Sequence, residues 1–474
     1  MSSLFHPPST PQVSSRWRRL ITSIPVPQSL PFLAELEKVE ARSMQGMPPV
    51  LWDEAEGFLV RDPFGNQWID LTSGIVTANA GHAHPRIAAA IIRQVQSKLL
   101  FSYSFFNRPR LQLISELVKI SPIPEAKGIL YSSGTEATEC AIALMRRYGR
   151  LKSSSKIGII GFAQGYHGRT LGAALAGGAP SLNDWTDRSM LGNYLLPYPY
   201  GENQKSFDEC LVDLEAHGVS PEKIAGIIVE PMQGWTASLM PRDFMHAMCT
   251  WARANDILVA FDEVQVGCGR TGKFFACQHL DVTPDLICLG KGLASSLPIS
   301  AVLGRQRIID LAEPGEMSST QSGNPVCAAA ALACLEVLRD EHLVEHAAEM
   351  GCILKKILDK FKNQFPTRIK SVAGEGLIFA IHLMHPETGH PDVELADAVA
   401  NAAVRRGVLM FVTKRGYLKI VPPLCIEAEA LIEAVEIIQE AFSEVLNLGI
   451  VNMNLHDNEW LSGRYRKVAD SLPQ

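Results

Sequence analysis

From residue 57 onward, short apolar runs alternate with polar turns and with longer stretches of helical spacing. The segment GFLVRDPFGNQWID at 57–70 predicts a β-hairpin turning at Phe64-Gly65-Asn66. A helix is predicted over 85–98, opening at Pro85. Apolar runs at 128–131, 156–162, 224–230, 257–262 and 285–289 read as strands. An apolar-striped helix is expected over 136–150 and a long Ala-rich one over 325–341. Strands alternating with helices give a mostly parallel sheet covered on both faces, so the class is α/β. Ligands bind such sheets at the carboxyl ends of the strands.

Beyond residue 341 the text changes to helix, strand (376–383), helix, strand (417–421), helix, which suggests a smaller α+β domain. The expected division is an N-terminal arm with part of the small domain (1–70), a large domain (71–340), a C-terminal small domain (341–450) and a surface tail (451–474).

Composition narrows the classes. A chain of 474 residues with 47% hydrophobic and 20% charged residues is globular, which excludes a disordered chain or a coiled coil. No apolar run reaches the roughly 20 residues of a membrane span. A net charge of −6 without a basic block argues against nucleic acid. The ten cysteines form no Cys-x-x-Cys pair, so neither a disulfide framework nor a structural zinc is expected. His82 and His84, flanking a turn before a helix, read as one cap and one surface residue rather than metal ligands. The first 34 residues lack acids and carry Arg16, Arg18 and Arg19, a weak organelle-import signal. Five prolines between Pro7 and Pro27 favour an ordered arm, and the expected location is the cytoplasm, with the mitochondrion as the alternative.

Three strand ends carry chemistry. Ser133-Gly134-Thr135 opens a helix, where free N–H groups and the helix dipole favour a phosphate. Asp262 ends an apolar strand, where a carboxylate needs a cationic or protonated partner. Lys291 lies between two glycines after another strand, where a desolvated amine becomes a nucleophile toward carbonyls. A phosphate cradle, an acid and a lysine are what pyridoxal phosphate requires. The segment GCGRTGK at 267–273 imitates a nucleotide-binding P-loop, but Phe274 replaces the hydroxyl residue that holds magnesium.

With SSGTEATECA (132–141), YHGRT (166–170), EPMQG (230–234), FDEVQVGCGRTG (261–272), GKG (290–292) and STQSGNP (319–325), the chain resembles the class III aminotransferases. These are fold-type I enzymes with a large domain built on a mostly parallel seven-stranded sheet and a smaller α+β domain. The resemblance covers about residues 48–445. It implies pyridoxal 5'-phosphate held by Ser133, Gly134 and Thr135, with Tyr166 stacked on the ring and His167 beside it. Asp262 would pair with the ring nitrogen, Gln265 with the phenolate oxygen, and Lys291 would form the Schiff base and move the proton. Thr320 would reach the phosphate of a neighbouring subunit, which implies a homodimer with shared sites.

The same resemblance implies substrate contacts at Arg169 for a distal carboxylate and at Ile75 for an apolar wall. Two positions depart from the family pattern. Lys419 stands where the family often has a carboxylate-binding arginine, with Arg415 four residues earlier as a substitute fork. Trp235 replaces the glutamate that partners that arginine. The expected reaction moves an amino group from an ω-amino acid such as 4-aminobutyrate, or from an amine, to a 2-oxo acid such as 2-oxoglutarate or pyruvate. The alternative is a decarboxylase or epimerase on the same fold.

Overall fold

Short runs of continuous apolar residues build the central sheet. Ile224–Val229 (IAGIIV) and Leu286–Leu289 (LICL) are buried at every position, as strands covered on both faces must be. The computed structural model describes residues 12–178, 192–201, 204–411 and 415–448, which divide into two compact units.

One unit spans 76–80 and 84–348. Its sheet runs in the order Ala126–Tyr131, Ser300–Arg305, Leu286–Leu289, Leu258–Asp262, Ile224–Val229 and Gly158–Ala163. Gly158–Ala163 is also paired in parallel by Asn193–Leu196 along Ile159–Phe162 and by the two-residue Gly177–Gly178 at Phe162 and Ala163. Only Ser300–Arg305 runs antiparallel to its neighbours, so the sheet is mostly parallel, as the sequence suggests. The helix Gly134–Arg150 lays Ala137, Ala141, Leu144 and Met145 on the sheet among Ile159, Ile228, Ala260 and Cys288. It starts where it does because Ser133 and Glu136 form a reciprocal capping box. His84 caps the helix Pro85–Gln96 by accepting the Arg86 N–H, and the Ala-rich helix is Pro325–Asp340.

The other unit gathers the described residues up to 75, residues 81–83 and those from 349 onward. The hairpin is present as Leu59–Arg61 against Gln67–Asp70, with Asp62 Oδ1 accepting the turn N–H groups of Phe64 and Asn66. Trp68 is fully buried among Leu20, Val60, Val404 and Leu409, and its Nε1–H donates to the Val404 carbonyl at 2.9 Å. Arg18 is bound to Glu433 Oε1 at 2.6 Å and to the Arg406 carbonyl, so this N-terminal stretch is built into the unit. The antiparallel sheet Ile369–Glu375, Ile378–Leu383 and Tyr417–Ile420 includes one strand, Ile369–Glu375, not foreseen from sequence. His82 is neither a cap nor a surface residue, which corrects the expectation: it is half-buried, with Nε2 2.8 Å from Oδ2 of the fully buried Asp70. The tail 451–474 and the first eleven residues lie outside the described residues.

Candidate active site

Three neighbouring strand ends deliver the polar residues to one place. Asp262 closes the strand Leu258–Asp262 and is 4% exposed. Its Oδ1 accepts the Val264 N–H at 3.0 Å, and its Oδ2 lies 2.7 Å from Nδ1 of buried His167. The partner of Asp262 at this strand end is therefore His167, a cation when it is protonated. Burial by itself would lower the imidazole pKa, but the bond to Asp262, its charge and that of Glu230 raise it. Removing one member of such a buried pair costs about 3–5 kcal/mol. His167 Nε2 is buried without a hydrogen-bond partner among the described residues.

Glu230, the residue after the strand Ile224–Val229, is buried and organises two loops with its two oxygens. Oε1 accepts the Tyr166 N–H at 3.0 Å and Oε2 the Gly234 N–H at 2.8 Å. These anchors set the rings that follow: Tyr166 and Trp235 meet edge to face at 6.1 Å. Gln265 reaches back to the second loop, since a Cβ on Gly234 would fall 2.4 Å from its Oε1. Burial raises the Glu230 pKa, His167 opposing it.

Lys291 follows the strand Leu286–Leu289 in a left-handed backbone, φ 41°. That conformation costs a non-glycine residue roughly 1–3 kcal/mol and persists only where its surroundings enforce it. Here the chain is pressed against Asn79: a Cβ on Gly292 would lie 2.4 Å from the Asn79 carboxamide. Asn79 is itself fixed, donating to the Cys268 carbonyl and accepting from buried Arg270. Burial lowers the Lys291 pKa, with Asp262 and Glu230 opposing it. The ammonium thus loses its proton more readily than a surface lysine.

The cradle adjoins this lysine. A Cβ on Gly290 would sit 3.1 Å from Val264 Cγ1 and 3.6 Å from the Gly134 Cα. Gly134 is required by space, because a Cβ there would lie 2.7 Å from Val264 Cγ1. The Ser133 N–H and hydroxyl are engaged by Glu136 Oε2 at 2.8 and 2.9 Å. The Gly134 and Thr135 amides therefore remain to receive an anion. Thr135 Oγ1 lies 2.7 Å from Thr170 Oγ1. Glu139 accepts from Thr170 and from the Gly172 and Ala173 N–H groups, which fastens the loop carrying Tyr166, His167 and exposed Arg169.

The donor set suits pyridoxal phosphate: amides at a helix start for a phosphate, a buried carboxylate for a protonated ring nitrogen, an aromatic face, and an amine of lowered pKa for an aldehyde. Asn79, Arg270 and the full reach of Glu230 were not visible from sequence. An arginine inside the otherwise small and apolar GCGRTG run was the available signal. Thr320 is exposed in the turn before Pro325–Asp340 and is not brought to these groups by any described hydrogen bond. Ile75, Lys419 and Arg415 belong to the other unit. Ile75 is 44% exposed with φ 68°, Lys419 is 3% exposed in its strand, and Arg415 is half-buried just before that strand. Among the described residues no group of His, Cys, Asp and Glu could hold a metal ion, and no helix is long and apolar enough to cross a membrane.

Known proteins resemble this chain over most of its length. The family described as "Aminotransferase class-III" matches residues 40–442. A 4-aminobutyrate aminotransferase of Mycobacterium leprae is 31% identical over 447 residues, covering 90% of this chain and 98% of its own. An alanine/serine racemase of Pyrococcus horikoshii is 30% identical, covering 93% and 96%. Among solved structures, an aminotransferase of Bacillus anthracis superposes with a TM-score of 0.81 at 27% identity, covering 88% of this chain and 99% of that one.

Proposed function

The chain belongs to the class III aminotransferases, and from that premise we infer that it uses pyridoxal 5'-phosphate to move an amino group from a 4-aminobutyrate-like ω-amino acid, or an amine, to a 2-oxo acid such as 2-oxoglutarate or pyruvate. The observation that carries the cofactor reading is Lys291: an amine of lowered pKa, in an enforced backbone, beside the Gly134–Thr135 cradle and under the charge of Asp262. The bound cofactor supplies an aldehyde that takes up the amino group and a ring that accepts the electron pair left when a C–H bond breaks.

The chain's own residues do the rest. The Gly134 and Thr135 amides, with Ser133 at the helix start, would hold the phosphate. Tyr166 would cover the ring, with His167 beside it and Gln265 on its oxygen. Asp262, made rigid by His167 and the Val264 amide, would keep the ring nitrogen protonated. Lys291 Nζ, neutral more readily than an ordinary lysine, takes the proton from the substrate carbon and returns it at the next one. Arg169, on the loop fastened by Glu139, is the proposed fork for a substrate carboxylate, and Trp235 forms an apolar wall with Tyr166. Ile75, Lys419 and Arg415 are proposed as further substrate contacts. Thr320, exposed in its turn, is proposed to complete the phosphate site of a second subunit, in a homodimer. All ten cysteines are free, which supports a cytoplasmic enzyme.

The test is the visible spectrum of the holoenzyme titrated with single donors: 4-aminobutyrate, ornithine, alanine and a simple arylalkylamine. Bleaching of the lysine-bound cofactor band by 4-aminobutyrate, with recovery on adding a 2-oxo acid, is expected. Carbon dioxide release, or inversion without amino exchange as the racemase likeness allows, would overturn the reaction. Lys291→Ala should abolish turnover, and full activity in that variant would overturn the site.

A further inference from the structure

A second recess lies at the opposite ends of the central strands from Lys291. It has a volume of about 270 Å³ and opens at the amino ends of Leu258–Asp262 and Leu286–Leu289, beside the last residue of Ser300–Arg305. One strand connects the two places: Leu258 and Val259 line the recess, and Asp262 ends in the candidate active site. At about 3.3 Å per residue the separation is roughly 13 Å along that strand. The recess is therefore no extension of the site already described.

Its charge is unbalanced. Arg253, Arg305 and Arg307 all line it and all bear on one half-buried carboxyl, Asp285. The other acid, Asp256, is already matched, with Lys152 Nζ at 2.6 Å and the Tyr148 hydroxyl at 2.6 Å. Counting Lys152, four cations face two carboxylates. Asp285 does not use its arginines well. Its Oδ2 accepts the Val259 N–H at 3.0 Å, and its Oδ1 stands 3.5 Å from Arg305 Nε, which is buried without a hydrogen-bond partner. Among the described residues neither Arg253 nor Arg307 makes an ion pair. Arg307 instead lies 5.8 Å over the Tyr148 ring, on the same wall. Guanidinium forks converging on a recess, with donors to spare, are the chemistry that recognises carboxylate and phosphate oxygens.

We propose that this recess binds a small dianion, a dicarboxylate or a phosphate group, held between Arg253, Arg305 and Arg307. The ligand occupies the space around Asp285 that the arginines enclose, and supplies the acceptors that Arg305 Nε and the two outer guanidinium groups lack.

The test is isothermal titration of the holoenzyme at low ionic strength with inorganic phosphate and, separately, with succinate. One equivalent of at least one anion per chain is expected, weakened at least tenfold in Arg253→Gln/Arg307→Gln. Both arginines are exposed, so the double variant should fold; Arg253→Gln alone, with a severalfold loss expected, serves if it does not. Binding of phosphate alone assigns a phosphate group as the ligand, and binding of succinate a dicarboxylate. A carboxylate bound only in the active site would keep its affinity in these variants. Unchanged affinity, or no binding of either anion, would overturn the proposal.

Discussion

Replacing Glu263 by glutamine should flatten the pH dependence of stability between pH 4.5 and about 7. Glu263 follows Asp262, is 1% exposed, and binds the Cys277 N–H through Oε1 at 2.8 Å and the Ala276 N–H through Oε2 at 2.6 Å. Burial pushes its carboxyl from an ordinary 4.5 up to about 7, although both amides pull the other way. The folded chain thus holds a proton there through a range in which the unfolded chain has lost it. Stability from this group is complete below about pH 4.5 and is lost as the pH rises to about 7. At about 1.4 kcal/mol per pH unit, the loss is on the order of 3 kcal/mol. Glutamine cannot ionise, so the slope should vanish from its side of a parent-minus-variant comparison. It keeps one carbonyl oxygen and turns an NH₂ toward the other amide, a cost of about 1–3 kcal/mol that is the same at every pH. The assay is urea denaturation followed by tryptophan fluorescence at half-unit steps from pH 4.5 to 7.5. If the parent and Glu263→Gln lose stability in parallel across that window, the reasoning from burial is refuted.

Gly134→Ala places a methyl carbon 2.7 Å from Val264 Cγ1 and displaces the amides of the cradle. Overpacking of about 1–3 kcal/mol is expected, with cofactor retention at least tenfold weaker in equilibrium dialysis, and parent-like retention would show that the cradle lies elsewhere. Glu230→Gln removes a charge that raises the pKa of both Lys291 and His167. The acidic limb of the kcat profile should move to lower pH, because Lys291 then gives up its proton more easily. At the same time kcat should fall about tenfold, as either Tyr166 or Gly234 loses its acceptor. A limb moving upward would contradict the electrostatic argument.

Much of the large unit was legible because its strands are buried on both faces and its helices carry terminal signals. IAGIIV and LICL need no partner to be recognised, and the Ser133–Glu136 pair marks a helix start in the sequence itself. Several strands escaped, two of them long ones. Ser300–Arg305 follows closely on the Lys291 turn, without an α-helix between, because it runs antiparallel to its neighbours in the otherwise parallel central sheet. Ile369–Glu375 (IKSVAGE) is largely half-buried and pairs on one side only, so it lacks a continuous apolar run. In the site, Asp262 and Lys291 stand out because charge at the end of an apolar strand demands an explanation. Their partners do not. His167 comes from 95 residues away, and Asn79 is separated from Arg270 by 191. Only the folded chain brings such residues together.

The charge balance of the site argues for what it holds. Asp262 and Glu230 are two buried carboxyls beside one histidine and one lysine. With His167 protonated and Lys291 a cation, the four groups balance. Proton transfer requires Lys291 to be neutral for part of the cycle, and two carboxylates then face a single imidazolium, an imbalance that is costly in a buried place. A ligand bearing its own cation restores the balance, and a protonated ring nitrogen paired with Asp262 does so where the excess charge lies. The sharing of Asp262 between His167 and the ring is then no competition. His167 holds the carboxylate in place through Oδ2 and lies under the charge of Glu230, so that on the proposed reading Asp262 would keep the ring proton while Lys291 alternated between its two states.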